Sequence, residues 1–390
     1  MATVATARTS STSPRMGTRE AAGPSGEPRP YFENLDCLRW LSALAVIVTH
    51  VEMIRGQHGM DNAWSNWIVQ NLGPVGVYFF FTLSGFLITH ILVRYREAPL
   101  AETLPSFYVR RAGRILPLYY LLVVLGFFVL PQLSVFTSPT AGGTSPPPSL
   151  DTFLSFLFAQ PHVASAFQQR VANISHLWSI GVEITFYCFW PLLVLRARHL
   201  VRAIFIFIVV IIGIKAALLL AGSRIPNAQG WFHLAATLKF ECMAIGSLFA
   251  LITPGKLWDC LTHRGTALTA MMLVPPVFLL YRTPLDNLVH LPLSVLFGTI
   301  IWNSARCPSS PIGVLANPVF NYLGRISYGI YCFHVAVINL LLNVAGPYFA
   351  EHRLLLYGAT IVAVALVSSV SFHFFEEPII RVAKRTAARC

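Results

Sequence analysis

Apolar residues fall into ten blocks along the chain, near 36–55, 74–93, 115–132, 176–195, 201–221, 234–253, 266–281, 286–303, 326–346 and 354–375. Each approaches the roughly 20 residues a helix needs to cross the hydrocarbon of a bilayer, where every backbone polar group must find its partner inside the segment. The pattern predicts an all-α polytopic membrane protein with about ten transmembrane helices. The fourth and sixth blocks are the least regular, because each contains ionisable residues. The run DTFLSFLFAQ at 151–160 is too short to span and is expected in the membrane interface. The loop around it, 133–175, carries SPTAGGTSPPPSL and suits part of a lid or an acceptor entrance.

Composition agrees with this pattern. Of 390 residues, 55% are hydrophobic and 11% charged, against about 25% charged in an ordinary globular domain. The formal net charge of +12 would suggest nucleic acid as a partner in a soluble chain. Here most of the 28 Lys and Arg gather in alternate loops, among them RYRE (94–97), VRRAGR (109–114), RARHLVR (196–202) and the terminal RVAKRTAARC. Cytoplasmic loops carry such an excess. Both termini are therefore expected in the cytoplasm of a multi-pass protein of the inner (cytoplasmic) membrane, and nucleic acid is not expected as a partner. Residues 1–30 are rich in Thr, Ser, Pro and Gly and read as a disordered cytoplasmic tail. The membrane domain runs over 31–381, and 382–390 read as a basic cytoplasmic tail. The seven cysteines have no close pair, so neither a disulfide framework nor a metal site is expected.

Ionisable residues inside apolar blocks carry the chemistry. A charge at the bilayer centre costs roughly 2.5–3.5 kcal/mol on insertion scales, so each needs a reason. In LDCLRWLSALAVIVTH (35–50), Arg39 and His50 stand eleven residues apart, about 16 Å of helical rise on one face. Asp36 can pair with Arg39 at i, i+3, which would make Arg39 an interfacial anchor. His50 suits a general base, the alternative being a satisfied core histidine. In the fourth block His176, Ser179, Glu183 and Tyr187 form one polar stripe, either interhelical glue or a site in which Glu183 orients a histidine on another helix. Lys239 and Glu241 do not share a face, so each is expected to meet a partner on another helix, in a structural role. Ser327, Tyr331 and His334 share a face of the ninth block, where packing competes with a polar cavity. Glu376 and Glu377 are expected to pair with nearby basic residues. Arg110, Arg111 and Arg114 flank the third block, where topology alone explains them equally well; Arg39 would lie at the same depth, which favours a polyphosphate site.

Seven segments in order resemble the acyltransferase-3 family of integral-membrane acyltransferases. They are LDCLRWLSALAVIVTH with its Arg-x10-His, GVYFFFTLSGFLIT (76–89), FYVRRAGRILPLYYL (107–121) with its Arg-x-x-Arg, HLWSIGVEITFYCFWPLL (176–193), KFECMAIGSLFA (239–250), LGRISYGIYCFH (323–334) and FEEPII (375–380). The resemblance implies an enzyme that moves an acyl group from acyl-CoA to a sugar, lipid or secreted metabolite. It implies that His50 is the catalytic histidine, that Arg39 works with it, that Arg111 and Arg114 help bind the donor, and that Glu183 belongs to the same site. Cys37, Trp40 and Lys239 depart from the family pattern, and lysine at 239 removes a bidentate contact.

The expected reaction uses acyl-CoA, with acetyl-CoA favoured, as a co-substrate docking from the cytoplasm, and no resident cofactor or metal. His50 would take the proton of an acceptor hydroxyl, or less directly be acylated itself. Glu183 would hold the histidine tautomer, and Ser84 and the tyrosines are candidate oxyanion donors. Asp36, Ser84, His176, Ser179, Tyr187, Lys239, Glu241, Tyr331 and His334 are the candidate lining. The acceptor is expected to be a glycan or glycolipid, with a macrolide antibiotic as the alternative. With no appended extracytoplasmic domain in the sequence, direct delivery is expected. A secondary transporter, the competing class, would show internal repeats and helices broken near mid-membrane, and the sequence displays neither.

Overall fold

Ten helices of the computed structural model, which describes residues 33–137, 148–283, 286–307 and 310–389, are long and apolar enough to cross a membrane. They are α1 (Asn34–Gln57), α2 (Trp67–Val93), α3 (Leu100–Gln132), α4 (Ser175–Arg196), α5 (Leu200–Ala221), α6 (Ala228–Ala250), α7 (Arg264–Arg282), α8 (Asp286–Arg306), α9 (Ser327–Glu351) and α10 (Arg353–Ala387). No strand occurs among the described residues. The ten apolar blocks therefore correspond one to one with helices.

Two boundaries differ in ways that matter. The α2 helix begins at Trp67 rather than 74, because Asn66 caps it by accepting a hydrogen bond from the Ile68 N–H. Its first turns, WIVQNLG, hold polar residues that an apolar scan skips. The α3 helix begins at Leu100 rather than 115, so Arg110, Arg111 and Arg114 sit within a helix rather than at its mouth. Their orientation is consequently fixed by the helical repeat.

α2 is the central element: 72% of its apolar window is buried in protein, against 6% for α5. Two glycines let α2 and α6 touch backbone to backbone. A Cβ on Gly85 would fall 1.9 Å from the Met243 carbonyl oxygen, and one on Gly246 would fall 1.9 Å from that of Thr82. Without strong hydrophobic drive between helices in lipid, such small-residue contacts set the packing. Ser84, next to Gly85, is held in place by this contact. The outer ring turns Phe205, Ile206, Val209 and Leu220 of α5 and Leu366 and Val370 of α10 outward, as lipid-facing surfaces require.

α6 is broken. Its two halves, Ala228–Thr237 and Phe240–Ala250, meet at Leu238 and Lys239, which are not helical. The sequence shows no break there, since it contains neither proline nor glycine at that point. The exposed carbonyl of Leu238 is taken by Lys215 Nζ of α5 at 2.6 Å, which satisfies a group that lipid could not. α9 kinks at Ala345, just before Pro347.

Between α3 and α4 lie two short helices, Leu150–Leu157 and Pro161–Phe167. The first exposes Leu150, Leu154 and Leu157 on one side and buries Phe156 and Thr152 on the other. That amphipathic arrangement agrees with an interfacial helix. Residues 1–30 and 138–147, expected as a tail and as part of a lid, lie outside the described residues. The stretch expected as a basic tail from 382 continues α10 as helix to Ala387, with Arg381, Val382, Lys384 and Arg385 exposed and Ala383 buried.

Candidate functional site

Five helices enclose a cavity of about 250 Å³. Arg39 of α1, Ser84 of α2, Arg111 and Arg114 of α3, Ser179, Glu183 and Tyr187 of α4, and Ser327, Tyr328 and Tyr331 of α9 supply its polar lining. Val77, Phe80, Phe81, Leu87 and Ile91 of α2 make an apolar wall. These residues are far apart in the chain, and the bundle brings them together.

The polar stripe on α4 is the spine of this arrangement. Tyr187 lies under the Arg111 guanidinium, 5.5 Å from ring centre to carbon, and the same guanidinium stands 5.8 Å from the Phe107 ring. One turn along, Glu183 Oε1 accepts from Ser84 Oγ at 2.5 Å and also from the Tyr187 hydroxyl. Another turn along, Ser179 Oγ and Tyr331 Oη are 2.6 Å apart, and Tyr331 donates to the His176 carbonyl at 3.0 Å. His176 ends the stripe inside a group of three imidazoles. From Tyr187 to His176 is eleven residues, about 16 Å of rise, the same interval that separates Arg39 from His50 on α1. Two helices thus connect a cationic end to a histidine end over equal lengths.

At the cationic end, Arg39 pairs with the buried Asp36, as the i, i+3 spacing predicts, and still lines the cavity. Arg111 and Arg114 line it too, whereas Arg110 turns back onto the carbonyl and hydroxyl of Ser106. Three guanidiniums against one lining carboxylate and one paired aspartate make this end attractive to an anion.

At the other end, ring centres of His50 and His334 are 4.8 Å apart, those of His176 and His334 4.7 Å, and those of His50 and His176 6.4 Å. His334 Nδ1 is 2.6 Å from the Tyr331 carbonyl and so carries the hydrogen, leaving Nε2 as an acceptor. That Nε2 lies 3.2 Å from His50 Nδ1, which is also 2.9 Å from the Val46 carbonyl. Two acceptors converging on Nδ1 place the hydrogen there. His50 Nε2 therefore keeps its lone pair, with no hydrogen-bond partner among the described residues, the state a general base requires. His50 is half-buried and outside the cavity lining; Tyr331 is the lining residue whose ring touches the imidazoles, 5.5 Å from His176 and 5.6 Å from His334.

Several expectations change. Glu183 does not orient a histidine: its partners are Ser84 and Tyr187, and the His50 tautomer is set by Val46 and His334. Ser84 bonds Glu183, two turns of α4 from His176, which sets its hydroxyl away from the three imidazoles. Lys239 and Glu241 line a different place. Glu241 Oε1 meets Lys215 Nζ at 2.5 Å and His290 Nε2 at 2.6 Å, while Lys239 Nζ lies 3.3 Å from His290 Nδ1 and 5.7 Å from the Tyr78 ring centre. That cluster fills the break in α6, in keeping with a structural role. Glu376 is buried and accepts from Ser371 at 2.9 Å, and Glu377 pairs with Arg381 at 2.8 Å. The sequence reading missed His290 and two buried charged residues of α1, Glu52 and Arg55, which do not pair with each other. Arg55 donates to the carbonyls of Asp61, Phe349 and Ala350, and Glu52 accepts from Tyr357 at 2.6 Å. The signal was present, since HVEMIRG continues the first apolar block with two charges.

Comparison with known proteins bears on this arrangement. The acyltransferase-3 family model, described as an acyltransferase domain, matches residues 32–373. The peptidoglycan O-acetyltransferase OatA of Listeria monocytogenes is 25% identical, over 90% of this chain and 56% of its own length. The putative peptidoglycan O-acetyltransferase YrhL of Bacillus subtilis is 28% identical, over 90% of this chain and 55% of its own. Putative O-acetyltransferases of Staphylococcus aureus are 24% identical over 89% of the chain and 57% of theirs. The chain thus spans little more than half the length of these relatives. No solved structure gives a significant match. The match runs from the first turn of α1 into α10 and so takes in both ends of the cavity and all three imidazoles: this chain belongs to the acyltransferase-3 family.

Proposed function

We propose that the protein is an O-acyltransferase that moves an acetyl group from acetyl-CoA to a hydroxyl of a cell-wall or surface glycan, with His50 as general base. The observation that carries this reading is the cavity itself, with three arginines at one end and a histidine whose Nε2 lone pair is unengaged beyond the other. Guanidiniums suit the phosphates of a CoA donor, since each presents a planar fork of donors. The interval from Arg39 to His50 is comparable with the length of a pantetheine arm.

In the reaction, the acceptor O–H gives its proton to His50 Nε2 as its oxygen bonds to the thioester carbonyl carbon. The C–S bond then breaks, and the thiolate takes the proton back from the imidazolium. Val46 and His334 both accept from Nδ1–H and so favour the imidazolium while it exists. Tyr331 lines the cavity and touches the imidazoles, and turning its O–H away from the His176 carbonyl would let it donate to the developing oxyanion. The relatives named for peptidoglycan motivate its sugar hydroxyls as the acceptor. The basic loops motivate an orientation with both termini and the arginine end facing the cytoplasm, in the cytoplasmic membrane.

The test uses the full chain in proteoliposomes with radiolabelled acetyl-CoA and soluble peptidoglycan fragments. The reading predicts base-labile acetyl esters on the fragments. Absence of both donor cleavage and ester would reject it.

A further inference from the structure

Both hydroxyls that reach Glu183, from Ser84 and Tyr187, bond the same oxygen, Oε1. Oε2 has no hydrogen-bond partner among the described residues, and Glu183 lines the cavity. Ser84 Oγ and Tyr187 Oη are themselves 2.5 Å apart, so the three side chains form a closed triangle with one acceptor left over. The rest of the α2 wall beside it, Phe80, Leu83 and Leu87, is apolar. An ionisable oxygen kept without a partner at membrane depth is costly unless something binds it.

Its position decides what that is. Glu183 is one turn from Tyr187 and its covering Arg111, and two turns, about 10 Å of rise, from His176. It lies between the end that holds anions and the end that performs chemistry, too far from the imidazoles to act on the reacting carbonyl. A ligand spanning both ends presents its middle here. The middle of an acyl-CoA is uncharged and carries two secondary amides, whose N–H groups are hydrogen-bond donors.

We infer that Glu183, braced by Ser84 and Tyr187, binds an amide N–H of the pantetheine arm and thereby selects pantetheine thioesters over short thioesters. This rests on the donor reading above. It assigns Glu183 a donor-binding role in place of the histidine-orienting one. A carboxylate accepting N–H forms a charge-assisted bond, stronger than a neutral one.

The experiment compares kcat/KM for acetyl-CoA, S-acetylpantetheine and ethyl thioacetate, which has no amide, in the purified full chain. Glu183→Ala is expected to lower the ratio of acetyl-CoA to ethyl thioacetate at least tenfold, and the ratio of S-acetylpantetheine to ethyl thioacetate by a similar factor. Arg111→Ala should instead affect acetyl-CoA more than S-acetylpantetheine. Equal losses on all three donors in Glu183→Ala would overturn the inference. If that variant does not fold, Ser84→Ala and Tyr187→Phe are read by the same ratios, and unchanged ratios in both overturn it. Wild-type protein that cleaves no thioester rejects the donor reading itself, a result distinct from unchanged selectivity.

Discussion

His334 Nε2 lies 3.2 Å from His50 Nδ1, and the Tyr331 carbonyl that fixes the His334 tautomer belongs to the residue closing the cavity. One helix, α9, therefore supplies both the cavity end and the partner of the base. If His50 is the general base, His334 acts through it, as a positioning residue. His334→Ala is expected to reduce kcat by about 10- to 100-fold, as for partners that orient a working histidine, with little change in KM for the donor. His334→Asn, which retains an acceptor, should recover part of the loss. A pH–rate profile identical to wild type in His334→Ala would argue against coupling of the two rings.

The arginine end should act on binding rather than on turnover. Arg111→Ala and Arg114→Ala are each expected to raise the KM for acetyl-CoA about tenfold, the effect of losing a charge-assisted contact of about 1.4 kcal/mol or more. Arg111→Lys should rescue poorly, because an ammonium cannot reproduce the planar fork over Tyr187 and Phe107. Steady-state kinetics distinguish this from a structural role, which would lower kcat and expression together.

The cluster in the break of α6 predicts a stability effect. Glu241 is fully buried and holds Lys215 and His290, and its Oε2 has no hydrogen-bond partner among the described residues. Glu241→Leu leaves the half-buried Lys215 without its carboxylate and should cost up to about 3–5 kcal/mol. The double substitution Lys215→Met with Glu241→Leu should recover much of this, since apolar replacement of a buried pair is often tolerated. Thermal unfolding in detergent measures both. A Glu241→Leu protein as stable as wild type would show that the cluster does not hold the break.

Much of this was legible in the sequence and some was not, for physical reasons. Ten hydrophobic blocks become ten helices because lipid leaves the backbone no other solution. The α4 stripe was readable because residues at spacings of three and four share a helical face. What a single helix cannot reveal is which other helix meets that face. The sequence left Glu183 open between interhelical glue and a histidine partner, and the bundle joins it across helices to Ser84 of α2, beside the Gly85 contact with Met243. The break in α6 was hidden because tertiary contacts from Lys215, rather than proline or glycine, satisfy the freed carbonyl. The start of α2 was missed because its cap and first turns are polar.

Outside the spans, His162 gives a pH dependence. It is buried against α4, where burial lowers its pKa to about 4, and a Cβ on Gly181 would fall 2.8 Å from its Nδ1. The unfolded chain takes up a proton near pH 6.5, and the folded protein resists until about pH 4. The stabilisation from keeping this ring neutral is thus complete above pH 6.5 and shrinks as pH falls toward 4, by up to about 3 kcal/mol. His162→Gln should flatten the fall in melting temperature between pH 7 and 4.5. An unchanged slope would mean that other groups control acid stability.

In the proposed reaction His50 Nε2 takes the acceptor proton. The direct measurement is acetyl transfer from acetyl-CoA to peptidoglycan fragments by wild type and His50→Ala, at matched melting temperature and donor affinity. General-base loss predicts a fall in kcat of about 10²- to 10⁴-fold with donor binding retained. A His50→Ala protein that transfers acetyl at a rate near wild type would contradict the account.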